Sequence, residues 1–258
     1  MNPSLDAQDI HFILVRPNFL GNIGAVARAC MNFGFENLRL VQAPKNYKDA
    51  EARKMAVGAF EVLKRAENFE TLSDALQDMT YVIGTTAGQQ RTQPLVSLSD
   101  SIEKIETLNG NKLAIVLGDE RNGLTNDEMS LCHILVRIET SCRFPSMNVA
   151  QAACIIAYEL SRSCTLQSSA PSQSTQAAQK TTLPTGKDND ELFKSLDKLL
   201  ERIEFSRTFN KKVVAKEIRR FYHNANPTKR ESKLLLGILH KLNQTLAAGN
   251  SSVEFGEE

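Results

Sequence analysis

Three short segments of the chain combine glycine or small polar residues with the start of an apolar helical pattern. They are Asn22–Cys30, Leu117–Leu124 and Ser146–Leu160. Helix starts and tight turns expose backbone N–H groups, and glycine allows the backbone to approach a ligand closely. Three such segments in one chain therefore predict a site that holds a cofactor largely through main-chain groups.

A few polar side chains within these segments are the candidates for chemistry. Arg28 falls off the apolar stripe of its predicted helix, so it is free to face a cleft or a partner. A guanidinium is a poor proton acceptor, but it can stabilise negative charge that develops on an oxygen. Asn22, Ser146 and Asn148 stand near predicted helix starts, where capping alone would also explain their residue types.

The elements that would position these segments alternate along the first 162 residues. Short runs rich in Val, Ile and Leu are typical of parallel strands that are covered on both faces; they lie at Ile10–Val15, Leu38–Val41, Tyr81–Ile83, Leu113–Leu117 and Leu135–Ile138. Between them, apolar residues recur at helical spacing. The helix Ile23–Phe33 would have Asn22 as its N-cap and Gly34 just past its end. The alternation predicts an open α/β sheet.

Composition excludes several classes of protein. The 258 residues, 41% hydrophobic and 24% charged, can support a sizeable core. No apolar run has the roughly 18 residues that a membrane helix needs, and the N-terminus does not resemble a secretory signal. The five cysteines are scattered and, like the four histidines, show no metal-site spacing, so we expect no metal and a cytoplasmic protein with reduced thiols.

The last third of the chain differs from the rest in composition and charge. The segment Ser163–Asp190 has no aromatic residue and few large aliphatic ones, which predicts a flexible linker. Three helical patterns follow, at Leu192–Glu204, Lys211–His223 and Glu231–Leu246. Leu192–Lys241 holds 13 Lys and Arg against 5 Asp and Glu, a net charge of +8. We therefore predict a domain over residues 1–163, a linker over 164–190, and a basic helical extension over 191–258 that contacts a polyanion.

Together the three segments resemble the SPOUT class of RNA methyltransferases, and more narrowly its SpoU/TrmH group. The matching motifs are Asn22–Arg28 (NIGAVAR), Leu117–Leu124 (LGDERNGL) and Ser146–Ala152 (SMNVAQA). The resemblance is narrowed to TrmJ-type tRNA 2′-O-methyltransferases by Arg53–Ala59, Gly84–Ala87 and the basic tail. Such enzymes act on the first nucleotide of the anticodon loop (position 32), a cytidine or uridine.

The resemblance implies a fold, a cofactor and an assembly. The fold would be an open parallel α/β sheet with a deep C-terminal trefoil knot, plus a small helical extension. The cofactor would be S-adenosylmethionine, bound in the knot. The protein would be a homodimer in which each active site is completed across the interface, and its macromolecular partner would be tRNA.

The resemblance also assigns roles to individual residues. Arg28 would orient phosphate and ribose and stabilise alkoxide charge, with help from Asn22, Ser146 and Asn148, while Glu120 would be a structural acid near the catalytic groups. The cofactor would contact Thr85, Thr86, Ala87, Gly118, Ile138, Pro145, Ser146 and Met147. An ordinary strand-to-helix turn remains the alternative for the glycine-rich segment, and ordinary strand ends for Thr85, Thr86, Ala87 and Ile138.

RNA binding is expected of Arg28, of Arg91 and of the tail. The tail residues are Lys211, Lys212, Lys216, Arg219, Arg220, Lys229 and Arg230. Phosphate contacts of this kind give affinity but little sequence information. These charges can equally be the outer face of a small bundle closed by Leu234, Leu235, Ile238 and Leu239; the two interpretations are compatible.

Two alternatives stay open and one fails. The same chemistry could act on ribosomal RNA, or the chain could be a non-catalytic RNA-binding relative. A nucleotide-dependent dehydrogenase fails, because no GxGxxG pattern follows the first strand and Gly21–Gly24 has the wrong spacing.

Overall fold

The computed structural model describes residues 6–87, 95–106, 108, 111–169, 182–205 and 211–251. The chain divides into two compact units, residues 1–181 and 182–258, and each is described by itself. Within the described ranges, none of the helices combines the length and apolar character needed to cross a membrane.

The first unit is built on a sheet of seven parallel strands in the order β3-β2-β1-β6-β4-β7-β5. They are β1 (Ile10–Val15), β2 (Asn37–Val41), β3 (Glu67–Phe69), β4 (Tyr81–Thr85), β5 (Leu95–Ser97), β6 (Leu113–Leu117) and β7 (Ile134–Arg137). The central strands β1 and β6 are buried along their whole length, as expected where helices cover both faces. The predicted open α/β class is confirmed, and each of the five predicted strands is present.

The described part of this unit has seven α-helices around the sheet: α1 (Leu20–Asn32), α2 (Ala50–Ala56), α3 (Phe60–Arg65), α4 (Leu72–Ala75), α5 (Leu98–Glu106), α6 (Asn126–Met129) and α7 (Val149–Ser169). Helix α1 packs against both α2 and α7. A Cβ on Gly24 of α1 would lie 2.1 Å from the Ala52 carbonyl oxygen of α2. Only glycine therefore permits this close approach of the two helices.

The start of α1 differs from the prediction. The helix begins at Leu20 with Phe19 as its N-cap residue, so Asn22 lies inside the first turn and the prediction of Asn22 as N-cap is wrong. The predicted end is correct, because Phe33 is the C-cap and Gly34 follows it with φ +84°. The backbone N–H groups of Asn22 and Ile23 donate to the Phe19 carbonyl, which begins the helix there, while the Asn22 side chain is free of a capping role and donates to a distant carboxylate, described below.

Where it is described, the second unit is a cluster of three helices: α8 (Gly186–Arg202), α9 (Lys211–Ala225) and α10 (Lys229–Ser251). Leu192, Phe193 and Tyr222 form its buried centre, and Leu236 and Leu239 of α10 pack against it. The Tyr222 hydroxyl is buried 2.9 Å from Asn189 Oδ1 and 2.8 Å from Ser232 Oγ. Polar as well as apolar contacts therefore hold the three helices together.

Two predictions for this part of the chain need correction. Of the four aliphatic residues expected to close the bundle, only Leu239 packs inward; Leu234, Leu235 and Ile238 are exposed. The buried face of α10 runs through Leu236, Leu239 and Asn243, which are three and four residues apart. The predicted linker is also helical at both ends, because α7 runs to Ser169 and α8 begins at Gly186; residues 170–181 lie outside the described ranges.

Candidate active site

Four neighbouring strands end at the same edge of the sheet, and the predicted motifs begin there. The register pairs Leu14 with Leu117, Gly84 with Val116, and Thr85 with Val136, so the carboxyl ends of β1, β6, β4 and β7 are level. In an open parallel sheet, ligands bind in the crevice outside these ends. The start of α1 and the loops after β4, β6 and β7 therefore surround one region.

A cavity of about 280 Å³ opens at this edge. Its walls include Leu117 and Val136, the whole loop Gly118–Gly123, and the segment that leads into α7. Every residue predicted to contact the cofactor lines it: Thr85, Thr86, Ala87, Gly118, Ile138, Pro145, Ser146 and Met147. The sequence motifs thus converge on a single concave surface, which we call the first cavity.

The loop after β6 is shaped by two glycines with different requirements. A Cβ on Gly118 would lie 2.2 Å from the Gly123 carbonyl carbon, so the backbone closes on itself at that point. Gly123 has open space around it but a φ of +66°. Between them the Asp119 carboxylate accepts hydrogen bonds from the backbone N–H groups of Arg121 (2.8 Å) and Asn122 (2.6 Å). The result is a tight turn whose backbone forms one wall of the first cavity.

Arg16, the residue directly after β1, stabilises this loop through contacts of its side chain. Its guanidinium forms two hydrogen bonds to the Glu128 carboxylate, donates to the Gly123 carbonyl (3.2 Å) and lies 3.6 Å from the Asp119 carboxylate. Glu128 in turn closes the capping box of α6 with Thr125. Burial works against ionisation of Glu128, but its hydrogen bonds with Arg16 and Thr125 outweigh burial and lower its pKa. Sequence reasoning missed Arg16, whose only signal is its place after a buried strand.

A hydrogen-bonded network joins three residues from the three predicted motifs. Glu120 accepts from the Asn22 side-chain amide (2.9 Å) and from the backbone N–H of Asn18 (3.0 Å). Asn22 Oδ1 accepts from Asn148 Nδ2 (3.0 Å). Asn148 Oδ1 accepts from the backbone N–H of Ala150 (2.8 Å), so the Asn148 side chain caps α7 while it holds Asn22.

The charge state of Glu120 follows from these contacts. Its partial burial disfavours the carboxylate, but the hydrogen bonds from Asn22 and the backbone N–H groups of Asn18 and Phe19 outweigh burial and lower the pKa of Glu120. A carboxylate with a lowered pKa is a weak proton acceptor. Glu120 is therefore suited to fixing the Asn22 amide at the start of α1.

A second, more open cavity of about 700 Å³ lies next to the first. The two share Glu120, Ser146 and Met147 as a common wall. Asn22 and Asn148 line the second cavity, so four of the five predicted catalytic residues surround it. Sequence reasoning missed the residues that complete it: Phe19, Gly21, Glu51, Lys54, Met55 and Phe144.

Arg28, the fifth predicted catalytic residue, is not brought to this wall. It lies on α1 two turns beyond Asn22, is exposed to solvent, and lines neither cavity. The described residues also contain no group of three or more His, Cys, Asp or Glu arranged for a metal ion.

Most of the predicted RNA-binding residues belong to the second unit. Arg91 and the side chains of Lys211 and Lys212 lie outside the described part of the chain. The Arg219 guanidinium stacks 4.5 Å from the centre of the Phe193 ring, and Lys229 Nζ lies 3.1 Å from Asp188. The remaining tail residues are the half-buried Lys216 and Arg220 and the exposed Arg230.

Comparison with known proteins finds a matching family for each of the two units. The model of the SpoU rRNA methylase family matches residues 9–158, and that of the tRNA methyltransferase TrmJ C-terminal domain matches residues 187–251. A tRNA (cytidine/uridine-2′-O-)-methyltransferase TrmJ from Sodalis glossinidius is 32% identical over 240 residues, 92% of each chain. A tRNA (cytidine-2′-O-)-methyltransferase TrmJ from Methanocaldococcus jannaschii is 39% identical over 155 residues, covering 58% of this chain and 66% of that protein. The crystal structure of TrmJ from Z. mobilis superposes with a TM-score of 0.76 at 27% identity, over 90% of this chain and 98% of that one.

Proposed function

The chain belongs to the SpoU rRNA methylase family, and we propose that it methylates a ribose 2′-hydroxyl of tRNA with S-adenosylmethionine as methyl donor. The observation that carries the proposal is the pair of adjoining cavities at the carboxyl edge of the sheet, which share the wall of Glu120, Ser146 and Met147. One cavity can hold a donor and the other an acceptor. The similarity to TrmJ enzymes, which extends over 92% of the chain, indicates tRNA as the substrate.

The residues of the first cavity fit the donor. S-adenosylmethionine, when bound, supplies a methyl group on a sulfonium centre. The cavity, at about 280 Å³, is close to the lower limit for small-molecule sites. Val136 and Ile138 offer an apolar wall for a flat base, and the backbone of the loop from Gly118 can approach because no side chain intervenes there.

The shared wall would position the acceptor. Methyl transfer requires the ribose oxygen to lie in line and within about 3.5 Å of the methyl carbon. Asn148 and Asn22 line the second cavity next to Glu120, and their side-chain amides can orient ribose hydroxyls there. Transfer of the methyl group to the ribose oxygen would release the hydroxyl proton to solvent, and a guanidinium beside that oxygen would stabilise the negative charge that develops on it.

We assign that guanidinium to Arg28 of a second copy of the chain. Within one subunit Arg28 lines neither cavity, although the family resemblance gives it the central role. Met31, one turn further along α1, and Tyr158 of α7, whose ring lies 5.8 Å from that of Phe33 just after α1, are large side chains about half exposed, as an interface between subunits requires. A homodimer that places Arg28 of one subunit at the second cavity of the other reconciles these observations.

The finer features of the family are also part of the proposal. The trefoil knot is supported by the close approach of the loop after β6 and the segment from Ile138 to Met147, which line the same cavity. The first nucleotide of the anticodon loop is supported as the target by the TrmJ-type resemblance of the whole chain and by the TrmJ C-terminal family match.

The test is methylation of unmodified tRNA transcripts by the full-length protein with labelled donor, followed by mapping of the modified nucleotide. We expect label on a ribose 2′-oxygen in the anticodon loop. We further predict that Arg28→Ala lowers turnover by more than about 100-fold, while donor affinity measured by calorimetry stays within about twofold, because Arg28 acts on the acceptor.

Each other result has a distinct meaning. Labelling of ribosomal RNA but not tRNA would move the substrate to the ribosome. Absence of donor binding by the wild-type protein would support a non-catalytic RNA-binding protein. Turnover of Arg28→Ala within about tenfold of wild type, about 1.4 kcal/mol of barrier, would show that Arg28 lacks the assigned role.

A further inference from the structure

Two aromatic side chains line the second cavity without being packed. Phe144, in the loop before α7, is 76% exposed, and Phe19, before α1, is 49% exposed. An exposed phenylalanine ring forfeits the free energy that its burial would give. Phe19 moreover occupies the N-cap of α1, a position that favours Ser, Thr, Asp or Asn, and gives no side-chain cap. Neither ring is explained by the stability of the unit to which it belongs.

The charges of this cavity define what it can hold. Within one subunit, Glu51 and Glu120 line it together with Lys54, the one cation among its described lining residues. The Arg28 guanidinium that the proposed dimer brings to this cavity would leave the wall neutral overall, and a neutral wall does not favour a phosphate. It favours a neutral group with a flat apolar face and polar edges, which is the chemistry of a nucleobase.

The position of the cavity defines which nucleobase. It adjoins the donor cavity through Glu120, Ser146 and Met147, so a ribose at that wall would extend its base away from the donor into the second cavity. We infer that Phe144 is the platform on which the base of the methylated nucleotide stacks, with Phe19 lining the same cavity. The inference rests on the proposed function and names the part of the substrate that this cavity takes.

Stacking on an aromatic ring holds any base, because every base has a π-face. The Phe144 ring therefore explains how the base can leave its stack with the neighbouring bases and be held while its ribose is methylated. It selects for the presence of a base, whereas discrimination among bases is left to the polar groups of the cavity.

The experiment compares two versions of one tRNA: the unmodified transcript, and the same RNA with an abasic ribonucleotide at the position that wild-type protein methylates. The abasic residue retains its 2′-hydroxyl. Wild type should lose roughly 5- to 150-fold in kcat/KM on the abasic RNA, the range for stacking of one base. Phe144→Leu should lose a similar factor on the normal RNA and barely distinguish the two, whereas Phe144→Tyr should behave as wild type.

The matched control is Phe221→Leu. Phe221 is 75% exposed on α9 and lines neither cavity, so its loss should leave the ratio between normal and abasic RNA unchanged. A Phe144→Leu protein that keeps the wild-type ratio would overturn the inference. So would a Phe144→Leu protein that sediments as a monomer where wild type is a dimer, since the ring would then belong to an interface.

A second measurement needs no variant. Wild-type protein is irradiated with tRNA that carries 5-iodouridine at the methylated position, and the cross-linked peptide is identified by mass spectrometry. A cross-link to Phe144 or Phe19 is expected, and a cross-link only to residues outside the second cavity would overturn the inference. Failure of wild type to methylate any tRNA would instead overturn the proposed function.

Discussion

Gly118 and Gly123 show how two identical residues can serve a site for opposite reasons. Gly118 is required because its Cβ would overlap the backbone of Gly123 at 2.2 Å, whereas Gly123 is required because of its φ of +66°. The first requirement concerns space and the second concerns backbone energy. The two substitutions to alanine should therefore have different consequences.

We predict that Gly118→Ala forces the loop open and weakens donor binding more than about tenfold. Gly123→Ala should keep the loop's shape at a cost of about 1–2 kcal/mol in the free energy of unfolding. Calorimetric titration with S-adenosylmethionine and urea unfolding of both variants would measure the two effects. Equal donor affinity in the two variants would show that the close approach at Gly118 does not shape the cavity.

Asn22 and Asn148 show how one side chain can combine two functions. Asn148 caps α7 through its side-chain oxygen and holds Asn22 through its side-chain NH2, so the predicted capping is confirmed, and the role of Asn148 in the site stays a prediction. The residue type alone could not decide between them. The partner of Asn22, Glu120, is 98 residues away in sequence, and only the fold brings the two together.

At the scale of elements, the loop between β6 and α6 depends on a residue from a different strand. Arg16 holds the Gly123 carbonyl and the Asp119 and Glu128 carboxylates together, with its own backbone at φ +50°. A left-handed arginine is uncommon and costs about 1 kcal/mol or more. This backbone conformation is tolerated because it places the guanidinium where it makes four contacts, which hold the two ends of the loop.

We predict that Arg16→Ala leaves Asp119 and Glu128 without their shared counter-charge and weakens donor affinity by about tenfold or more. Arg16→Lys keeps the charge but loses the two-point contact with Glu128, so its donor affinity should fall between wild type and Arg16→Ala. Arg65→Ala is the matched control, since Arg65 pairs with Glu36 on the surface away from both cavities. A control variant that lost as much affinity as Arg16→Ala would remove the special role of Arg16.

How well the sequence predicts an element also depends on the type of element. Long apolar runs such as Ile10–Val15 and Leu113–Leu117 are found as predicted, because burial on both faces leaves an unbroken pattern. The edge strands β3 and β5 have three residues each and carry no readable period. Phe19 and Phe144 could not be recognised, because an exposed ring in a loop has the same sequence signature as a buried one.

At the scale of the whole molecule, two buried histidines make stability depend on pH. Burial lowers the pKa of His133 to about 4, and burial together with Arg39 and Lys112 lowers that of His11 to about 4. In the unfolded chain both would titrate near 6.5. Between pH 6.5 and 4 the unfolded state therefore binds more protons, and stability falls as the pH is lowered.

We predict that His133→Asn removes about 2 kcal/mol of this loss between pH 6.5 and 4.5. Asparagine can still accept the hydrogen bond that His133 Nδ1 receives from the Val82 N–H at 3.1 Å. Urea unfolding across this pH range would measure the effect, with the exposed His240→Asn as the control. Parallel pH profiles for wild type and His133→Asn would show that the buried imidazole does not govern acid stability.

The second unit supplies a net charge of +8 over Leu192–Lys241, and binding of polyanionic RNA is the function that this charge favours. The cut that tests it follows the structure, because the predicted boundary at residue 191 falls inside α8 and the unit begins at residue 182. A protein of residues 1–181 keeps both cavities, so its affinity for S-adenosylmethionine should stay within about twofold of wild type.

The affinity of the shortened protein, residues 1–181, for tRNA should fall by about tenfold or more. Its log Kd should also depend less steeply on log salt concentration, because fewer counterions are released. The full-length double variant Arg220→Gln/Arg230→Gln is the intermediate case, since it keeps the helices and removes two charges. Its salt slope should decrease by about one to two. Unchanged affinity and slope in the shortened protein would assign tRNA binding to the first unit alone, and the charge of the second unit would then only keep its surface hydrated.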